Sequence, residues 1–348
     1  MGTDLTGGLS EEREHMFATR PDDPEMRESV NVWLWDRDDQ VGIPRIGIEA
    51  VAQRWDAHDV QVNVASGDGR VFTRFGVGDA HDPLNASGQA TTLGAGPLSF
   101  ELVEPFRHWR ISFDGIVHEW TCADQISGGS PQGEPSARVQ VALDLHSAVP
   151  PWENGGLLTE ARRVLNEQDE GALVGGPRFE QLARAEGTVT IGDVEHRIDG
   201  GALRIRRQGV RRLATFRGHA WQSALFDSGR AFGYLVFPPR DDGLPTYNEG
   251  FLFNGDGELI PAWVVEAPWL KRLRHHGDDV SVVIESEHGI ETIRAETVMS
   301  TFMVMGGVGP GSEGGYPVLH QAVTRYSWNG EVANGMTERS MPPGLIEP

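Results

Sequence analysis

The chain has 348 residues, 39% of them hydrophobic, with 44 glycines and 21 prolines spread between alternating runs, which favours two domains of all-β design and excludes a long helical bundle. Thirty basic against 51 acidic residues give a net charge of −21, which argues against a nucleic-acid partner or an anionic membrane surface. Lys271 is the only lysine, so a P-loop has no lysine to use and Schiff-base chemistry has a single candidate.

In chain order, Met1 to Glu14 carries no basic start followed by an apolar run, and no stretch reaches about eighteen uninterrupted apolar residues. Neither an export signal nor an integral membrane segment is expected. Cys122 is the only cysteine, which rules out an intrachain disulfide and fits a reducing, cytoplasmic compartment. Ser10 ahead of Glu11 and Glu12 predicts a short capped helix within Leu9 to Arg20, ended by Pro21-Asp22-Asp23-Pro24. Ser29 to Trp35 alternates Val30, Val32 and Leu34 against Asn31, Trp33 and Trp35, so both faces are largely apolar and the strand reads as central or ligand-lining. Gly42 to Val51, Asp59 to Val64 and, after the Gly67-Asp68-Gly69 turn, Val71 to Phe75 continue as a β-meander. Phe106 to Phe113 and Ile116 to Thr121 read as two strands hinged at Asp114-Gly115, Ser127 to Pro135 as a surface loop, and Ala137 to Leu145 as a further strand. Between Leu157 and Glu170, and again at Phe179, Leu182 and Ala183, the apolar spacing turns helical and predicts short bridging helices.

Alternation is clearest from Gly187 to Phe237. Val189, Ile191, Val194 and Ile198 flank the Gly192-Asp193 turn, and Gly200-Gly201 punctuates. The next run places Arg217, His219, Trp221 and Ser223 on one face and Phe216, Ala220 and Ala224 on the other. Asp227-Ser228-Gly229 turns into Ala231 to Phe237, and the polar and aromatic face suits a barrel lumen. Strands continue at Tyr247 to Phe253, Leu259 to Glu266, Val280 to Glu285, Ile290 to Glu296, Val298 to Met305, Val318 to Trp328 and Glu331 to Ser340. Gly306 to Gly315 reads as a barrel-rim loop and not a phosphate cradle, because no helix-forming run follows it and the negative charge disfavours phosphate.

Gly201, Arg204, Gly209 and Arg211 stand in the order G-x-x-R-x-x-x-x-G-x-R, ahead of a tryptophan-bearing strand and the D-x-G-R turn at Asp227. Tyr326-Ser327-Trp328-Asn329-Gly330 and Gly335-Met336-Thr337-Glu338-Arg339-Ser340 follow near the C-terminus. These motifs resemble the AttH-like group, which is related to carotenoid 1,2-hydratases. Where that group usually carries R-D-x-S-W-G, this chain reads Arg204-Ile205-Arg206-Arg207-Gln208-Gly209. The resemblance implies two consecutive lipocalin-like antiparallel β-barrels with short bridging helices, one over residues 1–172 and one over 173–348, and a hydrophobic pocket at or near their junction. It also implies a cofactor-independent lyase, hydratase or isomerase acting on an apolar terpenoid-, steroid- or aromatic-like small molecule. A non-catalytic lipocalin-type carrier of a hydrophobic ligand is the alternative, and a homodimer is compatible with either.

None of the twelve histidines lies in an H-E-x-x-H or C-x-x-C frame and no G-x-S-x-G elbow occurs, so neither a metal site nor acyl-enzyme chemistry is expected. General acid–base chemistry remains, and it needs a proton donor and acceptor held a few ångströms apart in a dry pocket. His219 and Glu249, assisted by Tyr247, are the expected acid–base set; burial among aromatics would raise the Glu249 carboxyl. Trp221, Arg204, Arg211, His320 and Tyr326 are the expected substrate-binding residues. Each has a structural alternative: His219 in solvent beside Arg217, Glu249 paired outside with an arginine, Tyr326 packed in a core, and the arginines balanced by nearby carboxylates.

Overall fold

A computed structural model describes residues 3–158, 178–210, 217–240, 243, 246–304 and 317–347. Strands β1 (Met26–Asp36), β2 (Val41–Val51), β3 (Arg54–Ser66) and β4 (Arg70–Asp79) form an antiparallel meander. Strands β5 (Thr92–Ala95), β6 (Leu98–Glu104), β7 (His108–Thr121) and β8 (Ala137–Ser147) form a second, with a one-turn helix α1 (Cys122–Ile126) after β7. Past the short β9 (Trp152–Glu153), the long hairpin β10 (Arg178–Ile191) and β11 (Val194–Val210) inserts between β8 and β1. Because β4 also pairs with β7 through Arg70 to Thr73, the strands β4-β3-β2-β1-β11-β10-β8-β7 close a ring. Val30, Val32 and Leu34 of β1 meet Ile46, Ile48, Val62, Leu143 and Leu145 inside it, and burying each such side chain fully is worth about 1.5–3 kcal/mol.

The second unit is a closed antiparallel barrel of β12 (His219–Leu225), β13 (Ala231–Val236), β14 (Asn248–Phe253), β15 (Ile260–Glu266), β16 (Val282–Ser286), β17 (Gly289–Met303), β18 (Val318–Trp328) and β19 (Glu331–Met341). Pairing of β12 with β19 joins its first and last strands and leaves no exposed sheet edge. The all-β, two-barrel expectation therefore holds. No helix among the described residues is long and apolar enough to cross a membrane.

Several local readings change. The helix expected at Leu9 to Arg20 is a single 3₁₀ turn, Glu11–Arg13. Phe179, Leu182 and Ala183 lie on β10; Leu182 faces one core and Ala183 another, so a strand buried on both sides produced the helix-like spacing. The remainder of the expected bridging helix, from residue 159 onward, and the glycine-rich Gly306 to Gly315 lie outside the described residues. Asp114-Gly115 sits within the continuous β7, and the two strands read between Ile290 and Met305 are one, β17, bent by a bulge between Thr297 and Met299. Residues 178–210 complete the first ring, so the sheet boundary falls after Val210 and not at 172/173: the ring closes only with both strands of that hairpin. Gly200-Gly201 lies inside β11, and a Cβ on Gly201 would sit 2.6 Å from the Trp35 indole nitrogen.

The N-terminal segment is stitched across one end of this ring by buried charge. Glu14 accepts from Trp109 Nε1 at 2.7 Å and from Arg204 at 2.8 Å, and Arg206 donates to Glu28 at 2.6 Å and to the His15 carbonyl at 2.7 Å. Removing one partner of such a pair strands the other in a dry site. Arg204→Leu is expected to lower the unfolding free energy by about 3–5 kcal/mol in urea titrations, whereas Arg138→Ala, which breaks the exposed pair with Asp114, leaves the midpoint essentially unchanged.

Candidate functional site at the seam between the barrels

Strand alternation gives β12 two faces with different fates. Ala220 and Ala224 turn inward with Phe232, Tyr234, Ile284 and Tyr326 to fill the second barrel. Trp221 and Leu225 turn outward and pack with Trp33, Trp35, Leu203 and Ile205 of the first ring. The polar and aromatic face expected to line a lumen thus lies in the seam between barrels, because the smaller residues of the opposite face are what fit inside the closed barrel. Gly42 belongs to the same contact: a Cβ there would overlap Val323 of β18.

Three polar groups cluster in this seam. His219 bonds Ser340 Oγ through Nδ1 at 2.7 Å and Glu338 Oε1 through Nε2 at 3.1 Å. Glu338 also accepts from Gln321 at 2.6 Å, and Asn63 of the first ring donates to Gln321 at 3.2 Å and to Thr301 at 2.6 Å. Burial pushes the Glu338 carboxyl up, but the hydrogen bond and charge of His219, with Arg45 and Gln321, more than offset it and hold the group below its ordinary value.

Next along the seam, the Trp221 indole donates to Glu180 at 3.0 Å, Arg178 lies 5.1 Å over the Trp221 ring and also binds Glu180, and Trp33 meets Trp221 edge-on with centroids 4.6 Å apart. Burial outweighs Arg178 and Trp221 and raises the Glu180 carboxyl. The third group is Glu249, whose oxygens accept from the Tyr247 hydroxyl and from the backbone N–H groups of Gly155 (2.6 Å) and Leu157 (2.8 Å). Burial again raises this carboxyl, and burial beside Glu249 raises the Tyr247 phenol. Ser29 Oγ, Trp33 Nε1, Asn63 Oδ1 and Arg178 Nε, all buried, have no hydrogen-bond partner among the described residues.

The expected residues are therefore divided. His219, Trp221, Tyr247 and Glu249 share the outer face of the second barrel, but His219 takes Glu338 and Ser340 as partners while Glu249 and Tyr247 bond each other. Tyr326 is in the second barrel's interior, its hydroxyl bonded to Met336 O and Thr337. His320, fully buried, accepts from Arg339 and bonds Ser300; burial and the Arg339 charge hold it well below its ordinary value. Arg204 is committed to Glu14 and Gln181 in the first ring, and Arg211 lies outside the described residues. Glu338, Ser340, Glu180 and Trp33 were missed as site residues. Alternation put Glu338 and Ser340 on one face of the last strand, but only barrel closure sets Glu338 opposite Trp221 and Ser340 opposite His219.

A closed antiparallel barrel packed against a ring of antiparallel strands, with histidine, carboxylates and tryptophans between them, defines a tandem β-barrel protein. The chain belongs to the family described as Domain of unknown function (DUF7064), which matches residues 10–343. The fold is similar to that of an AttH-like protein (NE1406) from Nitrosomonas europaea, at 12% identity and TM-score 0.55 over 95% of this chain and 99% of that one. It is also similar to CghA, at 12% identity and TM-score 0.51 over 99% and 98% of the two chains. Kievitone hydratase from Nectria haematococca follows at 11% identity and TM-score 0.49, over 98% and 96%. A search of the curated proteins returns no match.

The opposite pKa directions predict opposite pH dependences. Glu338, held low, contributes stability that is present above its ordinary 4.5 and lost as pH falls through its folded value. The stability difference between wild type and Glu338→Gln in urea should be largest near neutrality and shrink on acidification below that point. Glu180, held high, contributes stability that is present below 4.5 and lost as pH rises through its folded value, so the penalty of Glu180→Gln should shrink towards neutral pH.

Proposed function

We propose that the chain is a cofactor-independent lyase, hydratase or isomerase whose proton-transfer centre is His219 with Glu338, acting in the seam on an apolar terpenoid-, steroid- or aromatic-like small molecule. One observation carries this reading: a buried histidine bonded on one side to a carboxylate held low and on the other to a hydroxyl, beside the Trp33–Trp221 pair. An imidazole can both take and give a proton, and the carboxylate bonded to it orients the ring. In the hydration direction His219 takes a proton from the attacking water, the hydroxyl adds to one carbon, and the proton held on His219 passes to the neighbouring carbon, so water is added with no redox partner. Tryptophan faces suit the apolar body of the substrate, and the partnerless Ser29, Trp33, Asn63 and Arg178 atoms suit its polar end. Glu249, with Tyr247 and two backbone N–H groups on its oxygens, anchors the segment at Gly155 to Leu157 in this reading and is not the base.

That same saturation of Glu249 favours the second reading, a carrier that holds a hydrophobic ligand without altering it. Mass spectrometry of terpenoid, steroid and prenylated aromatic compounds incubated with the protein in ¹⁸O-labelled water separates the two. An enzyme adds or removes water or rearranges a compound; a carrier retains it unchanged. On the compound turned over, His219→Ala and Glu338→Gln should each lower kcat about 10²–10⁴-fold, while Trp33→Ala raises KM. Near-normal turnover in both folded variants would overturn the assignment.

A further inference from the structure

We propose a second ligand site, separate from the seam: a cleft at the end of the first ring that takes a small organic ammonium ion with an apolar body. The cleft encloses about 380 Å³, within the range of roughly 300–1,000 Å³ common for small-molecule sites. Phe17, Trp55 and His58 form one wall, with ring centroids 6.5 Å apart for Phe17–Trp55 and 5.6 Å for Trp55–His58. Asp56 and Asp82 face the same space, and Leu93 lines it with them.

Three features set the ligand's chemistry. His58 lines the cleft at only 5% exposure, and beyond a backbone contact with Ala57 its Nδ1 makes no hydrogen bond of standard geometry among the described residues, which leaves the ring free to take a polar ligand. Burial holds this imidazole below its ordinary value, which leaves a neutral ring able to accept an N–H. The charge is one-sided: among the described residues no arginine or lysine lines the cleft. Glu28, which also borders it, is occupied by Arg206, Gln208 and the Phe17 N–H, so the negative charge open to a ligand comes from Asp56 and from Asp82, one oxygen of which also accepts from the Leu84 N–H. An anion would meet two carboxylates, whereas an ammonium group gains from both, from the aromatic wall and from His58.

Benzylamine is a suitable probe, with benzyl alcohol and benzoate as neutral and anionic counterparts of the same shape. Titration of the full chain, labelled at histidine nitrogens for NMR, should give a saturable shift of the His58 resonances with benzylamine and little with the other two. Asp56→Asn with Asp82→Asn, both at exposed positions, should weaken benzylamine binding about tenfold without disturbing the fold, and Trp55→Leu by a similar factor, the scale of a lost cation–π or charge contact. Three results would each overturn the proposal: no saturable shift with benzylamine, equal binding of benzyl alcohol, or unchanged affinity in the doubly substituted chain.

Discussion

Trp221 meets Trp33 edge-on across the seam, and much of the molecule is arranged to permit that contact. The indole N–H of Trp221 cannot be buried unpartnered without cost, and Glu180 supplies its acceptor. Glu180 then needs compensation in turn, which Arg178 provides from two residues away on the same face of β10. Close approach of the sheets demands small residues as well, and Gly42 opposite Val323 answers that demand. A seam fixed in this way holds His219 and Glu338 within a frame contributed by both barrels, since Asn63 of one reaches Gln321 and Thr301 of the other.

Buried carboxylates are costly wherever they occur, and this chain treats them in distinct ways. Glu14 is matched by a cation and an indole N–H, which commits its oxygens to holding the N-terminal segment on the first ring. Glu249 is satisfied mainly by backbone N–H groups and a phenol, and burial still keeps it raised. Among the described seam carboxylates Glu338 is the one bonded to a histidine, and it is held low. This difference in partner, more than burial itself, is what sets the direction of each carboxyl's shift.

Fold class was legible in the sequence because a strand's period of two needs only local information. Ser29 to Trp35 displayed apolar residues on both faces, and the structure puts one face inside the first ring and the other in the seam. What stayed hidden was non-local. Alternation separated the two faces of β12 without telling which was inside, and the pairing of β12 with β19, more than a hundred residues away, decided the partners of His219. Local spacing also misled at Phe179, Leu182 and Ala183, where a strand buried on both sides imitated a helix. That Arg204 could be balanced by a carboxylate was legible, but not which one, since its partner Glu14 lies 190 residues earlier.

The order of strands in the first ring bears on how the chain is made. β1 to β8 emerge from the ribosome before β10 and β11, yet those last two strands occupy the gap between β1 and β8. Until Val210 has been synthesised, the nascent chain therefore presents two open strand edges and an uncovered apolar interior. The N-terminal unit cannot finish ahead of the polypeptide that follows it, and its completion comes just before the first strand of the second barrel is added. Translation speed across this interval, and chaperones that shield open edges, consequently bear on the yield of folded protein more than they would for a barrel whose strands are all contiguous.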